Sequence, residues 1–219
     1  MTELLDQLRE KRAEVNRRLR GIPAVQRALA GTLELDVYAT YLDKIARSYA
    51  PHSPKVMCMA AGRCSTRQHE LSKYYMNHAL EEEGHDVWAA HDLRAIRGAQ
   101  FADHIDPFAL CQAMIGYTYS LALVEEPSAL LGWMYILEAV GADLGPDAVR
   151  GLRLAQNLPL EFVGGHAEAD VVHIQEMEEV FESIGDGVEQ SAILKAAEVS
   201  AELYVGMFLQ LDAHATSTS

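Results

Sequence analysis

Long apolar runs are missing from this 219-residue chain: none approaches the roughly 20 residues that a membrane-spanning helix needs. Cysteine is scarce, with three residues, an odd number, and no Cys-x-x-Cys. That argues against a disulfide framework and fits a reducing cytoplasm. Basic charge is scarce too. Eighteen Lys+Arg against thirty-two Asp+Glu leave a net charge of −14, so the chain lacks the basic footprint that nucleic acid requires and disfavours an anionic membrane surface. The opening segment, residues 1–20, is charged and amphipathic, without the apolar stretch of a secretory signal. Alternating β-branched segments bounded by turn signals are absent as well. What remains is a chain that is 49% hydrophobic, enough for one core without disulfide or metal staples. A single soluble, acidic, cytoplasmic domain over residues 1–219 is expected, with residues 213–219 as a disordered tail.

Alanine, leucine, glutamate and arginine dominate, and the pattern reads as helix almost throughout. Prolines mark helix starts, because proline suits a first turn and breaks a helix interior. Pro107 follows Asp106, Pro146 follows Gly145, and Pro127 and Pro159 each precede an apolar run. These signals predict helices near 3–20, 34–49, 55–64, 67–97, 107–124, 127–143, 146–157, 159–184 and 187–212, with room for a short turn between 21 and 33. No linker, solenoid repeat or low-complexity tract interrupts them. The expected fold class is an all-α bundle.

The nine histidines are unevenly used. Residues 78–85 read HALEEEGH and residues 166–173 read HAEADVVH, so both segments fit His-x3-(Glu/Asp)-x2-His. On a helix, the fourth-on acid lies about 40° and the seventh-on histidine about 20° from the first histidine. Each triplet therefore shares one narrow face. A carboxylate three residues before a histidine, on each of two helices, is the arrangement of di-metal carboxylate bundles, where further glutamates come from neighbouring helices. Glu138 fits that role. It is the lone acid in an apolar stretch, where an unpaired carboxylate is costly. The candidate metal ligands are thus Glu82, His85, Glu138, His166, Asp170 and His173. Mixed carboxylate and imidazole donors suit Fe or Mn, and the lack of nearby thiolates argues against structural zinc. Glu81, about 40° from His85, could replace Glu82, and His78 could join as a ligand, stand behind one, or face substrate. His69, His91 and His104 have no partner pattern and read as surface residues. Met57, Cys58, Met59 and Cys64 read as soft core filling.

At these residues the chain resembles the haem-oxygenase-like di-iron oxidases and oxygenases. The likeness runs through Tyr38, Tyr41 and Leu42, then Glu81-Glu82-Glu83-Gly84-His85-Asp86-Val87-Trp88 with Asp92-Leu93, then Pro127, Gly132 and Leu137-Glu138. It closes on His166, Asp170 and His173. The resemblance implies a haem-oxygenase-like bundle of seven or more helices that binds two Fe(II) ions. It also implies that O2 serves as co-substrate to oxidise a small metabolite, by desaturation, C–C cleavage, hydroxylation or rearrangement, in a biosynthetic pathway. The chain departs from the family where several members place a further Glu seven or ten residues before the histidine, because His78 and Tyr75 stand there. Members that bind haem use a histidine of the first helix. Here the first is His52, after two predicted helices, so no haem is expected.

The resemblance implies a substrate that is often an amino acid or a fatty acid; an amino acid or derivative is expected here over a fatty acid, with a homodimer compatible, and neither nucleic acid nor membrane is an expected partner. Lys44, Arg47 and Tyr41 are candidates to orient a carboxylate or phosphate, against an ordinary solvated face. Gly164 and Gly165 weaken the turn that must present His166, unless they exist to let a neighbour pack closely. Two other readings compete: a thiaminase-like hydrolase or cofactor-free oxidase, and a non-catalytic metal-binding bundle. The hydrolase needs an activated cysteine, and Cys58, Cys64 and Cys111 all sit in Ala/Met-rich helix.

Overall fold

A computed structural model describes residues 3–155, 158–185 and 187–217, with the side chains of residues 99 and 155 left aside. Among the described residues there is helix and no strand. The order is α1 (Glu3–Arg20), α2 (Pro23–Ala30), α3 (Leu35–Tyr41), a π turn over Leu42–Ala46, α4 (Arg47–Tyr49), α5 (Ser53–Arg63), α6 (His69–Glu81), α7 (His85–Arg97), α8 (Ala109–Leu123), α9 (Leu130–Ala155), α10 (Glu161–Glu182) and α11 (Gly187–Ser217). No described helix is long and apolar enough to cross a membrane.

Helix α9 is the centre of the bundle, because its first half is apolar on every side and must be buried all round. Leu130, Leu131, Trp133, Met134, Tyr135 and Ile136 are all buried. Around it pack α10, α11, α2 and α1. Helix α1 contributes a stripe of Leu4, Leu8, Val15 and Leu19, and its outer face is tied down by Arg12 to Asp143 of α9 and by Arg9 to Glu178 of α10, the latter at 2.6 Å. Glycine lets α9 meet its neighbours at backbone distance. A Cβ on Gly132 would strike the Ile193 carbonyl of α11, and one on Gly151 the Ala28 carbonyl of α2.

Four sequence expectations are corrected. Residues 67–97 are two helices rather than one, because Gly84 takes φ 92°, a left-handed conformation that ends the regular spiral. Residues 127–143 and 146–157 are instead joined, after a 3-10 turn at Pro127–Ala129, in a single α9 that runs through Pro146. The proline costs one backbone hydrogen bond, and the helix is anchored on either side of it by buried Leu144 and Val149. Pro107 opens no helix, since α8 begins at Ala109. The tail expected to be disordered is helical through Ser217, where the hydroxyls of Thr216 and Ser217 donate to the carbonyls of Ala213 and His214. Residues 218 and 219 lie outside the described residues.

Candidate metal centre

The two triplets and Glu138 meet where α6, α7, α9 and α10 converge. Glu138, in the first half of α9, is the hub: its Oε1 lies 3.2 Å from His78 Nε2 and its Oε2 lies 3.0 Å from His173 Nδ1. His78 comes from the last turn of α6 and is 1% exposed. Glu82 is the residue at which α6 ends, and His85 opens α7 beyond Gly84. That break moves His85 off the face shared by His78 and Glu82 and places its ring 4.6 Å from the ring of His166 on α10. The expected single narrow face is therefore wrong for 78–85, whereas α10 is unbroken and carries His166, Asp170 and His173 as the spacing requires.

Two groups of side chains result, each with one donor atom per residue within 4.8 Å of the others: His78, Glu82, Glu138 and His173, and Glu82, His85 and His166. Glu82 belongs to both. Its Oε1 faces His78 Nε2 at 4.0 Å and its Oε2 faces His85 Nδ1 at 3.3 Å. Asp170 is the remaining carboxylate, lying against Glu138 with its Oδ1 4.0 Å from His173 Nδ1. Glu81, the alternative to Glu82, is half-exposed at the outer edge, 3.4 Å from His173 Nε2.

Electrostatics shows what three carboxylates cost here. Burial works to raise the Glu138 carboxyl, but the hydrogen bonds from His173 and His78 overcome it and hold the group well below its ordinary range. Burial, reinforced by the adjacent Glu138 charge, holds the Asp170 carboxyl well above its ordinary range. That environment favours the protonated form of Asp170 over the charged one. The His166 imidazole is lowered, chiefly by burial. For His173 burial is the largest influence and acts to lower it, yet the Glu138 hydrogen bond and charge raise it overall.

The donor set fits divalent cations. His85 Nδ1 and Asp170 Oδ1 are buried and find no hydrogen-bond partner among the described residues. Buried polar atoms are rarely left so, and an ion is one of the few explanations. His166 is oriented for the same purpose: its Nδ1 donates to the Phe162 carbonyl at 2.7 Å, which leaves Nε2 as a free lone pair. Four imidazoles and three carboxylates, without thiolate, are donors for iron or manganese.

Two supporting features escaped the sequence reading, and a third decides between two readings it left open. Asp92 of α7 accepts from the backbone N–H groups of Glu161 at 3.1 Å and Phe162 at 3.0 Å, capping α10 from another helix. Gly141 makes room for Asp170: a Cβ there would overlap Oδ2 and lie 2.7 Å from Cγ. Trp88 stacks on His85 at 4.1 Å, and the space it fills exists because Gly165 has no side chain. Close packing is therefore the role of Gly165, and α10 is helical through both glycines.

Other candidates fall away from the site. Lys44 binds the Asp106 carbonyl at 2.9 Å, and Arg47 binds Asp43 and the His104 carbonyl. Both hold the 101–108 loop, and neither lines the cavity described next, although Tyr41 does. His69 and His104 are exposed, and His91 pairs with Glu161 at the surface. Of the expected soft core residues, Met57 is buried, but Cys58 is exposed, Met59 is 38% exposed and Cys64 is intermediate.

A cavity of about 210 Å³ abuts the centre, with Glu82, Glu138, His166 and Asp170 in its wall. None of the three cysteines lines it. Burial pushes the Cys64 thiol up to about 11 and the Cys111 thiol to about 12. Such thiols are not activated nucleophiles.

A helical bundle whose core gathers histidine and carboxylate side chains from several helices defines an all-α protein with groups that could hold a metal ion. The sequence matches the family described as iron-containing redox enzymes over residues 46–205, and the chain belongs to that family. The matched span contains every candidate ligand. No curated protein sequence matches significantly. Among solved structures, the chain is similar to a domain of unknown function with a heme oxygenase-like fold from Shewanella denitrificans OS217. The TM-score is 0.85 at 19% identity, covering 99% of this chain and 94% of that one. It is also similar to a TenA homolog from Pseudomonas syringae pv. tomato str. DC3000 (TM-score 0.76, 13% identity, 97% and 93% covered) and to a TenA homologue from P. horikoshii OT3 (0.70, 12%, 96% and 98%). The fold is heme-oxygenase-like.

Proposed function

We propose that the protein is a non-haem di-iron oxidoreductase that uses O2 to oxidise a small organic substrate held in the cavity beside Glu138. The observation that carries this reading is the pair of ligand groups joined by Glu82, open on one side to a cavity large enough for a substrate. In it, His78, Glu82, Glu138 and His173 would hold one iron, and Glu82, His85 and His166 would hold the other. Asp170, beside Glu138, would complete the set as a further carboxylate donor. Two ferrous ions held there would supply the electrons for O2 activation.

The chain's own part is placement. Glu138 fixes the rings of His78 and His173, Phe162 fixes His166, and Gly141 admits the Asp170 carboxylate. The apolar helices around the cavity keep water from the reacting carbon. The TenA-like neighbours share the fold at low identity, but a hydrolase of the cysteine type lacks its nucleophile here, since no thiol reaches the cavity. Anaerobic Fe(II) titration of the purified protein, followed by admission of O2, tests the proposal. Two irons per chain and O2 consumption are expected. One iron or fewer, or a full complement inert to O2, would overturn it.

A further inference from the structure

The wall of the cavity is mostly apolar, so its few polar groups decide what it recognises. It contains no lysine or arginine, and its acidic and histidine members are the four metal-centre residues alone. Lys44 and Arg47, which could meet a carboxylate, are committed to the 101–108 loop. An amino-acid zwitterion or an ionised acid would therefore find no cationic side chain in the wall, and Glu138 stands there as a like charge. Burying a charge without a partner is strongly unfavourable.

What the wall does offer is neutral donors. Tyr49 of α4 and Trp133 of α9 both line the cavity, with ring centroids 6.0 Å apart. Tyr49 is 8% exposed and Trp133 2%. Tyr49 Oη and Trp133 Nε1 both lack a hydrogen-bond partner among the described residues. The indole N–H stands by the phenol oxygen without meeting it in hydrogen-bonding geometry. Indole is a donor only, and the phenol supplies one donor of its own. If the indole turned to donate to the Tyr49 oxygen, the Tyr49 proton would still be without an acceptor. That proton stays on, because burial holds the hydroxyl pKa well above its ordinary value. Buried donors are rarely left so, and this pair opens on a cavity of about 210 Å³. An engineered apolar cavity of about 150 Å³ already accepts benzene. The missing acceptor therefore belongs to whatever occupies the cavity.

We infer that the substrate is a neutral carbonyl compound, a ketone, ester or amide on a compact apolar body, whose oxygen accepts from Tyr49 with the Trp133 indole beside it. This rests on the di-iron reading for what happens to the compound, but not for its recognition. Tyr49 is the residue that tells a carbonyl from a hydrocarbon of the same shape. A site built to donate a hydrogen bond rejects the analogue that leaves its buried donor unpaired. The absence of a cationic side chain excludes the ionised acid on the same wall.

Calorimetric titration under argon tests the inference on the full chain, first free of metal and then with Fe(II). The probes are acetophenone, isopropenylbenzene, which has the same shape with CH2 in place of the oxygen, benzoate and leucine. Acetophenone should bind more tightly than benzoate or leucine in both states. Water holds a carbonyl better than it holds a hydrocarbon, so without a donor in the wall isopropenylbenzene would win. Tyr49→Phe should therefore lower the ratio of acetophenone to isopropenylbenzene affinity by about fivefold or more, the worth of one hydrogen bond. The same variant should leave the urea midpoint of the ligand-free protein unchanged or higher, because the hydroxyl it removes had no partner. An unchanged ratio would overturn the inference, as would a fall in the midpoint, which would mean that water or protein already satisfies Tyr49. Failure of acetophenone to bind, or a preference for benzoate or leucine in either state, would overturn it as well. Iron stoichiometry read on the same samples separates the two ideas. Two irons with an unchanged ratio sinks the carbonyl substrate alone, and Tyr49-dependent recognition in a protein that binds no iron sinks the di-iron reading alone.

Discussion

Gly141→Ala adds one methyl group at the most crowded point of the metal centre. The new carbon would lie 2.7 Å from Asp170 Cγ and overlap Oδ2, whereas comfortable contact needs about 3.5–4 Å. Asp170 has to rotate to another staggered rotamer, or α10 has to retreat from α9. Either response draws the carboxylate away from Glu138 and His173. Overpacking of this kind costs about 1–3 kcal/mol, while alanine in place of a helical glycine returns up to about 1 kcal/mol. The net loss of stability should be about 0–2 kcal/mol, small enough for the bundle to stay folded. Iron binding should suffer far more. Disturbing a group that merely supports a ligand costs 10–100-fold in affinity as a rule, so displacing Asp170 itself should weaken one iron by about 100-fold or more. Gly145→Ala is the control, because its Cβ would crowd Ala167 at 2.9 Å, one turn along the same interface, without touching a ligand. Urea denaturation and anaerobic Fe(II) titration on both variants read the two quantities separately. The reasoning fails if Gly141→Ala binds two irons with native affinity, or if Gly145→Ala loses iron as severely.

Glu82→Gln keeps the size of the side chain but removes the charge common to both groups, so both irons should weaken together; retention of one at native affinity would show that Glu82 serves a single group. Glu138→Ala leaves His78 and His173 without their acceptor and should destabilise the metal-free protein by about 1–3 kcal/mol, with iron per chain falling below two; unchanged loading by colorimetric assay would remove Glu138 from the ligand set. Asp92→Ala strips the cap from α10, at a cost of about 0.5–2 kcal/mol. Hydrogen exchange in that variant should rise over residues 161–166 before anywhere else, and uniform acceleration along the chain would speak against a local cap.

Much of this was legible in the sequence, and the exceptions share a cause. Periodicity and composition identify an all-α bundle, and the His166-Asp170-His173 spacing survives intact because α10 is regular. The 78–85 triplet misled because helical arithmetic assumes an unbroken helix. Gly84 was in plain view, and a glycine after an acidic run is a stop signal that the apolar pattern on either side outweighed. His78 was left open and proves to be the most buried histidine of the centre. Contacts between distant segments are the harder case. Nothing near Asp92 in sequence announces that it caps a helix about seventy residues on, and nothing near Gly141 announces a carboxylate above it. Arg47 and Lys44 looked available for substrate because a single sequence does not show the loop that occupies them.

Glu82 stands at a break between helices and belongs to both ligand groups, and this has a thermodynamic consequence. A carboxylate with one oxygen toward each group cannot be oriented for the first cation without changing what it offers the second. If both groups hold a cation, as proposed, the two occupancies are linked, and linkage is reciprocal: whatever factor the first ion imposes on the affinity of the second, the second imposes on the first. Loading is then not the filling of two independent sites. A half-loaded molecule would then be a distinct chemical species, with Glu82 committed to one neighbour, rather than an average of the empty and the full.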